Sequence, residues 1–172
     1  MKRVFAFLYV TLSVLLSSCL QDDADMEKKN LQVGDAMPPF EVELCIPDKQ
    51  DWRHDASTTS ILVRSHELKG KTAIICFFNT KCEDCQHELP QLQKLYEKNR
   101  SDNHYAFLAI AREEKKKDIE DFWHQHNLTL PYSAQSDRRI YNLFATVTIP
   151  QFYVINEQGY IIIHENIIKM PF

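Results

Sequence analysis

Cys82-Glu83-Asp84-Cys85 is the segment of this chain whose residue types and spacing most directly suggest chemistry. The apolar run before it has the pattern of a buried strand, and helical spacing begins at it. The pair therefore falls at a helix N-terminus, where unsatisfied backbone N–H groups and the helix dipole favour a thiolate on Cys82, the nucleophilic form. Cys85 follows one turn later, close enough to attack a mixed disulfide formed at Cys82 and release the product. That is thiol–disulfide exchange. A purely structural disulfide fits less well, because the loop it closes is too small to restrict the unfolded chain much. Zinc would need two more Cys or His ligands at suitable spacing. His87 is near, but there is no second C-x-x-C, and Cys45, Cys76 and the other histidines show no ligand spacing. No metal is expected.

Two further positions belong with the pair. Glu88 follows Cys85 by three residues and so shares its helix face. A half-buried carboxylate there can exchange protons with a neighbouring thiol, and a plain solvated helix glutamate is the alternative. Pro150 follows Ile149, and X–Pro is the context in which a cis bond is cheap; a trans proline opening a strand is the alternative. Pro90 is expected to kink its helix without touching the chemistry.

The elements that must hold these residues follow from periodicity. Thr72–Phe78 is continuously apolar, the pattern of a strand covered on both faces. A helix is expected from about Glu83 to Asn99, a second buried strand over His104–Ala111 and a second helix over Glu114–His126. Asp137–Phe144 has helical spacing through Ile140, Tyr141 and Phe144. Gln151–Ile155 and Tyr160–His164 read as strands joined by Asn156-Glu157-Gln158-Gly159, a hairpin signal. Upstream, Glu41–Leu44 alternates as a candidate edge strand, 46–59 reads as a loop or loose hairpin, and Ser65–Gly70 as a turn closed by glycine. Cys76 fits a small buried hydrophobe, while the partner of Cys45 stays open. Trp52, Trp123 and Tyr141 read as packing or as a rim around the site. The whole is an α/β domain with a central mixed sheet flanked by helices.

The N-terminus reads as an address. Lys2 and Arg3 precede an apolar stretch, Val4–Leu16, that is shorter than the roughly 20 residues a membrane-spanning helix needs and suits a signal-peptide core. Leu16-Ser17-Ser18-Cys19 resembles a bacterial lipobox, which makes residues 1–18 a lipoprotein signal peptide and Cys19 the lipid attachment site. An ordinary signal peptide with an incidental Cys19 is the alternative. Residues 19–32 are polar and acidic without periodicity, a flexible tether, and 33–172 form the domain. Twenty basic residues face 24 acidic ones, and loss of the leader removes two of the basic ones. With no basic stripe left, nucleic acid is an unexpected partner.

Taken together, these segments resemble the TlpA/ResA-like branch of the thioredoxin superfamily, extracytoplasmic membrane-tethered thiol–disulfide oxidoreductases. The resemblance runs from Val33 to His164. It rests on Val33-Gly34-Asp35 with Pro38, Pro39 and Phe40; on Leu68-Lys69-Gly70-Lys71 before the apolar strand; on Cys82 to Pro90; and on Thr148-Ile149-Pro150-Gln151-Phe152 before the last hairpin. It implies a thioredoxin-like fold with an N-terminal extension. It implies Cys82 as exposed nucleophile, Cys85 as recessed resolving thiol and Glu88 as general acid/base. Ile149 and Pro150 would form a cis-proline loop that pairs with substrate backbone. The partners implied are protein disulfides and an upstream membrane thiol reductant, with no bound cofactor, in the bacterial cell envelope.

Departures from the family pattern are informative. Asn79-Thr80-Lys81 replaces the usual aromatic and small residues, and Lys81 is a candidate stabiliser of the Cys82 thiolate. Glu83 and Asp84 between the cysteines oppose a thiolate and make the disulfide harder to reduce, which favours a reductant. After His164 too few residues remain for a closing helix of average length, about 11–12 residues, so a short tail or another chain must cover that face. A peroxidase of the same superfamily is disfavoured, because Ile75 and Asn79 occupy the places of the proline and threonine in Pro-x-x-x-Thr-x-x-Cys. A copper carrier using the dithiol and a distal histidine such as His164 is weaker still, since such carriers usually space the cysteines by three residues.

Overall fold

The computed structural model describes residues 30–47 and 59–168. The strands are β1 (Glu41–Ile46), β2 (Thr59–Arg64), β3 (Thr72–Phe78), β4 (Tyr105–Ala111), β5 (Tyr132–Ser133), β6 (Gln151–Ile155) and β7 (Ile161–Glu165); the helices are α1 (Glu83–Asn99) and α2 (Lys116–Gln125). They form one mixed sheet in the order β2-β1-β5-β4-β3-β6-β7. The run that is apolar at every position, β3, is central, parallel to β4 and antiparallel to β6. A strand buried on both faces needs no polar alternation.

The pleat sorts β3 between two cores. Ile74, Cys76 and Phe78 meet Leu89, Leu92 and Leu95 of α1 and Ile119, Phe122 and Trp123 of α2. Ala73, Ile75 and Phe77 meet Phe40, Leu68, Tyr141, Phe144 and Ala145 on the other face. Both long helices thus lie on one face, and the opposite face is covered by the lead-in and by single turns of chain. The second of these, Asp137–Phe144, falls short of the expected helix. Only Tyr141–Leu143 is helical, a 3-10 turn, because burying Tyr141 and Phe144 needs one turn.

Three other expectations change. Glu41–Leu44 is no edge strand: β1 pairs along its length with β2, which takes the edge, and through Cys45 with Tyr132 of β5. The two residues of β5 are too few to show a period. The expected tether loses its last residues to the domain: Leu31 N–H donates to Phe144 O at 2.7 Å and Thr146 N–H to Asn30 Oδ1 at 3.0 Å. The leader, Cys19, Trp52, Met170 and Phe172 lie outside the described residues.

Beyond β7 the described chain continues to Ile168 without a helix. Ile168 packs against the core that α1 covers, so a short bent segment lies on that face.

Candidate active site

β3 and β4 run parallel and in register, Phe78 beside Ala111, so the residues that follow them, Asn79 and Arg112, emerge at the same sheet edge. Sites in α/β sheets gather at the carboxyl ends of strands. Arg112 N–H donates to Phe78 O at 2.8 Å and Asn79 Nδ2 to Arg112 O at 3.1 Å. Asn79 also turns the chain into α1: its carbonyl accepts from Cys82 N–H at 3.1 Å and its Oδ1 from Lys81 N–H at 2.9 Å.

Cys82 is the N-cap of α1, extended at φ −86° and ψ 120°, and its sulfur makes no capping hydrogen bond to the first turn. Cys85 is fully buried one turn further in, and Cys82 is half-buried. Both thiols are free. Burial pushes the Cys85 thiol well above the usual range; the Asn79 backbone N–H pulls it back, the Cys82 sulfur adds to the rise and the Arg112 charge opposes it. Cys85 is therefore protonated at neutral pH and must lose a proton before it can attack.

The Ile149–Pro150 peptide is cis and faces this pair. Four successive carbonyls of the segment ahead of Pro150 each have one donor. Arg138 Nη2 holds Thr146 O at 2.7 Å, Arg112 Nη1 holds Val147 O at 3.1 Å, and Tyr141 Oη holds Thr148 O at 2.7 Å. The fourth donor is the Cys82 thiol, 3.6 Å from Ile149 O. The Cys82 thiol and an ordered backbone edge thus meet at one point.

Glu88 is half-buried on α1, and its Oε2 accepts from Ile168 N–H at 2.9 Å. It faces inward toward a third thiol: burial first, then Cys85 and Glu88, raise Cys76 well above the usual range. Cys76 is buried on β3 as expected, and Cys45 is likewise buried, 3.8 Å from Ser60 Oγ. Trp123 is packing, its Nε1 donating to Leu130 O at 2.8 Å, whereas Tyr141 is both packing and part of the loop's support. α1 runs unbroken through Pro90.

Lys81 does not serve Cys82. Its side chain is largely exposed and pairs with Asp118 at 3.2 Å. What braces the turn is a residue the sequence did not single out: Glu114, 4% exposed, accepts from Thr80 N–H at 2.9 Å and from Thr80 Oγ1. Gln86 Nε2 completes the brace with a 2.7 Å bond to Thr80 O. His164, the candidate metal ligand, stacks on Tyr153 with ring centroids 4.4 Å apart and bonds Gln151. Among the described residues no three His, Cys, Asp or Glu side chains converge to hold a metal ion. Arg112 and Glu114 also escaped notice. The usable signal was their position just after an apolar parallel strand, where charge reaches the functional edge of the sheet.

The chain belongs to the AhpC/TSA family, whose model matches residues 33–164, and its fold is thioredoxin-like. It is 30% identical over 93 residues to Sporulation thiol-disulfide oxidoreductase A of Bacillus subtilis (strain 168), a match spanning 53% of this chain and 56% of that protein. It is 23% identical over 136 residues to Thiol-disulfide oxidoreductase ResA of Bacillus thuringiensis (strain Al Hakam), spanning 79% and 70% respectively. The chain thus matches little more than half of the first relative's length. Among solved structures, the thioredoxin domain of a thiol-disulfide oxidoreductase from Bacteroides vulgatus superposes with a TM-score of 0.60 at 19% identity, over 79% of this chain and 89% of that one. The resemblance read from the sequence is upheld at the level of family and fold.

Proposed function

We propose that this thiol–disulfide oxidoreductase reduces disulfides of extracytoplasmic proteins through Cys82 and Cys85. The observation that carries the reading is the half-buried Cys82 sulfur at the N-cap of α1, 3.6 Å from Ile149 O beside cis Pro150, with the Cys85 thiol buried one turn behind. The Cys82 thiolate attacks one sulfur of a substrate disulfide; that bond breaks and the other substrate sulfur leaves as a thiolate that takes up a proton. Cys85 then loses its proton to Glu88 and attacks Cys82 Sγ. The Cys82–Cys85 disulfide forms, the second substrate sulfur leaves with its electron pair, and two electrons have passed to the substrate. The backbone at Ile149 and Pro150 pairs with an extended segment of the substrate.

An upstream membrane thiol reductant returns the two electrons by the same exchange in reverse, and no bound cofactor takes part. The lipobox-like leader supports attachment through Cys19 to a membrane of the bacterial envelope. The acidic dipeptide Glu83-Asp84, exposed at the start of α1, favours the disulfide over the thiolate and so supports work as a reductant.

The test is the reduction potential of the Cys82–Cys85 couple, by equilibration with dithiothreitol or glutathione. A single two-electron transition at or below about −250 mV is expected, in the thioredoxin range. A potential near that of strong oxidants, about −120 mV, would reverse the direction, and no reversible transition would end the redox reading.

A further inference from the structure

We infer that Arg112 is a positioning residue for the resolving step, joining the cis-proline loop to the active-site turn and setting a positive charge beside Cys85 as that thiol is deprotonated. The inference rests on the proposed reaction, and its parts are geometric. The backbone of Arg112 is locked on both sides, by Phe78 O and by Asn79 Nδ2, and Asn79 is the residue whose own N–H faces the Cys85 sulfur. Its guanidinium holds Val147 O and lies 5.2 Å from the centre of the Tyr141 ring, whose hydroxyl holds the next carbonyl, that of Thr148. One side chain therefore links the segment that meets substrate to the turn that carries the thiols.

Its charge is also available. No carboxylate among the described residues lies within salt-bridge distance of Arg112, whereas its neighbour Arg138 is 3.8 Å from Glu113. Arg112 Nε is buried and has no hydrogen-bond partner among the described residues. A cation left unpaired and partly desolvated acts strongly on charge that forms nearby. The groups facing Cys85 are the Cys82 sulfur and the Glu88 carboxylate from α1, the Cys76 thiol from β3, the Asn79 backbone N–H after β3 and this guanidinium from the end of β4. The Asn79 N–H and Arg112 favour a Cys85 thiolate, and Arg112 is the one of the two that carries a full positive charge.

The resolving step forms the Cys85–Cys82 bond, breaks the bond from Cys82 to the substrate sulfur and leaves that sulfur with the electron pair. Removing Arg112 slows it more than it slows the first attack by Cys82, so a mixed disulfide accumulates. Reduced full-length protein is mixed with oxidised glutathione at several pH values, quenched in acid and weighed by mass spectrometry. For Arg112→Gln we expect the glutathione adduct to accumulate at least 10-fold over wild type near neutrality, and its resolution to need a higher pH. Arg112→Lys, which keeps the charge, moves both back toward wild type. Arg138→Gln loosens the same loop at Thr146 and serves as the comparison; it alters reaction with substrate but not the pH at which the adduct resolves.

Adduct levels and pH profile of Arg112→Gln matching wild type, in protein with unchanged circular dichroism, would overturn the inference alone. Equal effects in Arg138→Gln would also overturn it, leaving loop support without a role for charge. Wild-type protein that forms neither adduct nor internal disulfide would overturn the reaction on which it stands.

Discussion

The Glu88 carboxylate accepts a 2.9 Å hydrogen bond from the backbone N–H of Ile168, eighty residues away in sequence. The segment after β7 thereby fixes the rotamer of the carboxylate assigned to proton transfer, on the face of α1 that also carries Cys85. A short bent piece of chain after β7 supplies this contact and lays the Ile168 side chain on the core.

Replacement of that carboxylate by its amide keeps the shape and removes the base. Glu88→Gln is expected to reduce turnover with a protein disulfide on the order of 10²-fold near neutral pH, the usual contribution of a positioned acid or base. The deficit shrinks as pH rises, because Cys85 then ionises without help. Stopped-flow pH profiles of both proteins read this, and a deficit constant from pH 6 to 10 would argue that Glu88 has only a structural part.

Stability at alkaline pH should depend on redox state. In the folded, reduced protein burial raises the Cys85 thiol, whereas the unfolded thiol titrates near pH 8.5. The folded state then holds a proton that the unfolded state gives up. This contribution is fully present below about pH 8.5 and falls as pH rises toward the folded value, by about 1.4 kcal/mol per pH unit. Once the disulfide forms, Cys85 cannot titrate, while Cys76 titrates in both forms. Urea unfolding from pH 7 to 10 should show the reduced protein losing stability more steeply than the oxidised one; parallel curves would contradict the burial of Cys85.

Glu114 predicts a stability effect outside the reacting groups. Glu114→Ala leaves the buried Thr80 N–H and hydroxyl without their acceptor, and each orphaned group costs about 1–3 kcal/mol. A loss of about 3 kcal/mol is expected from the urea midpoint, with the slope against denaturant unchanged. A change below about 1 kcal/mol would mean that water takes over both bonds.

Where sequence and structure agree, one period was enough to decide. Thr72–Phe78 and Glu83–Asn99 have the bounds expected of them, because an unbroken apolar run and a 3.6-residue repeat are local signals with one burial solution each. The expectation failed where length, not pattern, decided. Tyr132–Ser133 is too short to show a period and exists as a strand because it fits between β1 and β4. Ile140, Tyr141 and Phe144 satisfy helical spacing with a single turn, since nothing on that face demands more.

The sequence by itself marked the Cys82/Cys85 dithiol, the strand and helix that flank it and the proline that faces it, because those depend on residue type and near-neighbour spacing. Only the tertiary structure decided which residues serve the pair. Lys81, adjacent in sequence, turns away to Asp118, while Arg112, Glu114 and Ile168 arrive from distant positions. The physical reason is that their roles come from parallel strands ending at one sheet edge and from chain packed across a helix face. Neither relationship leaves a period or a motif in the order of the residues.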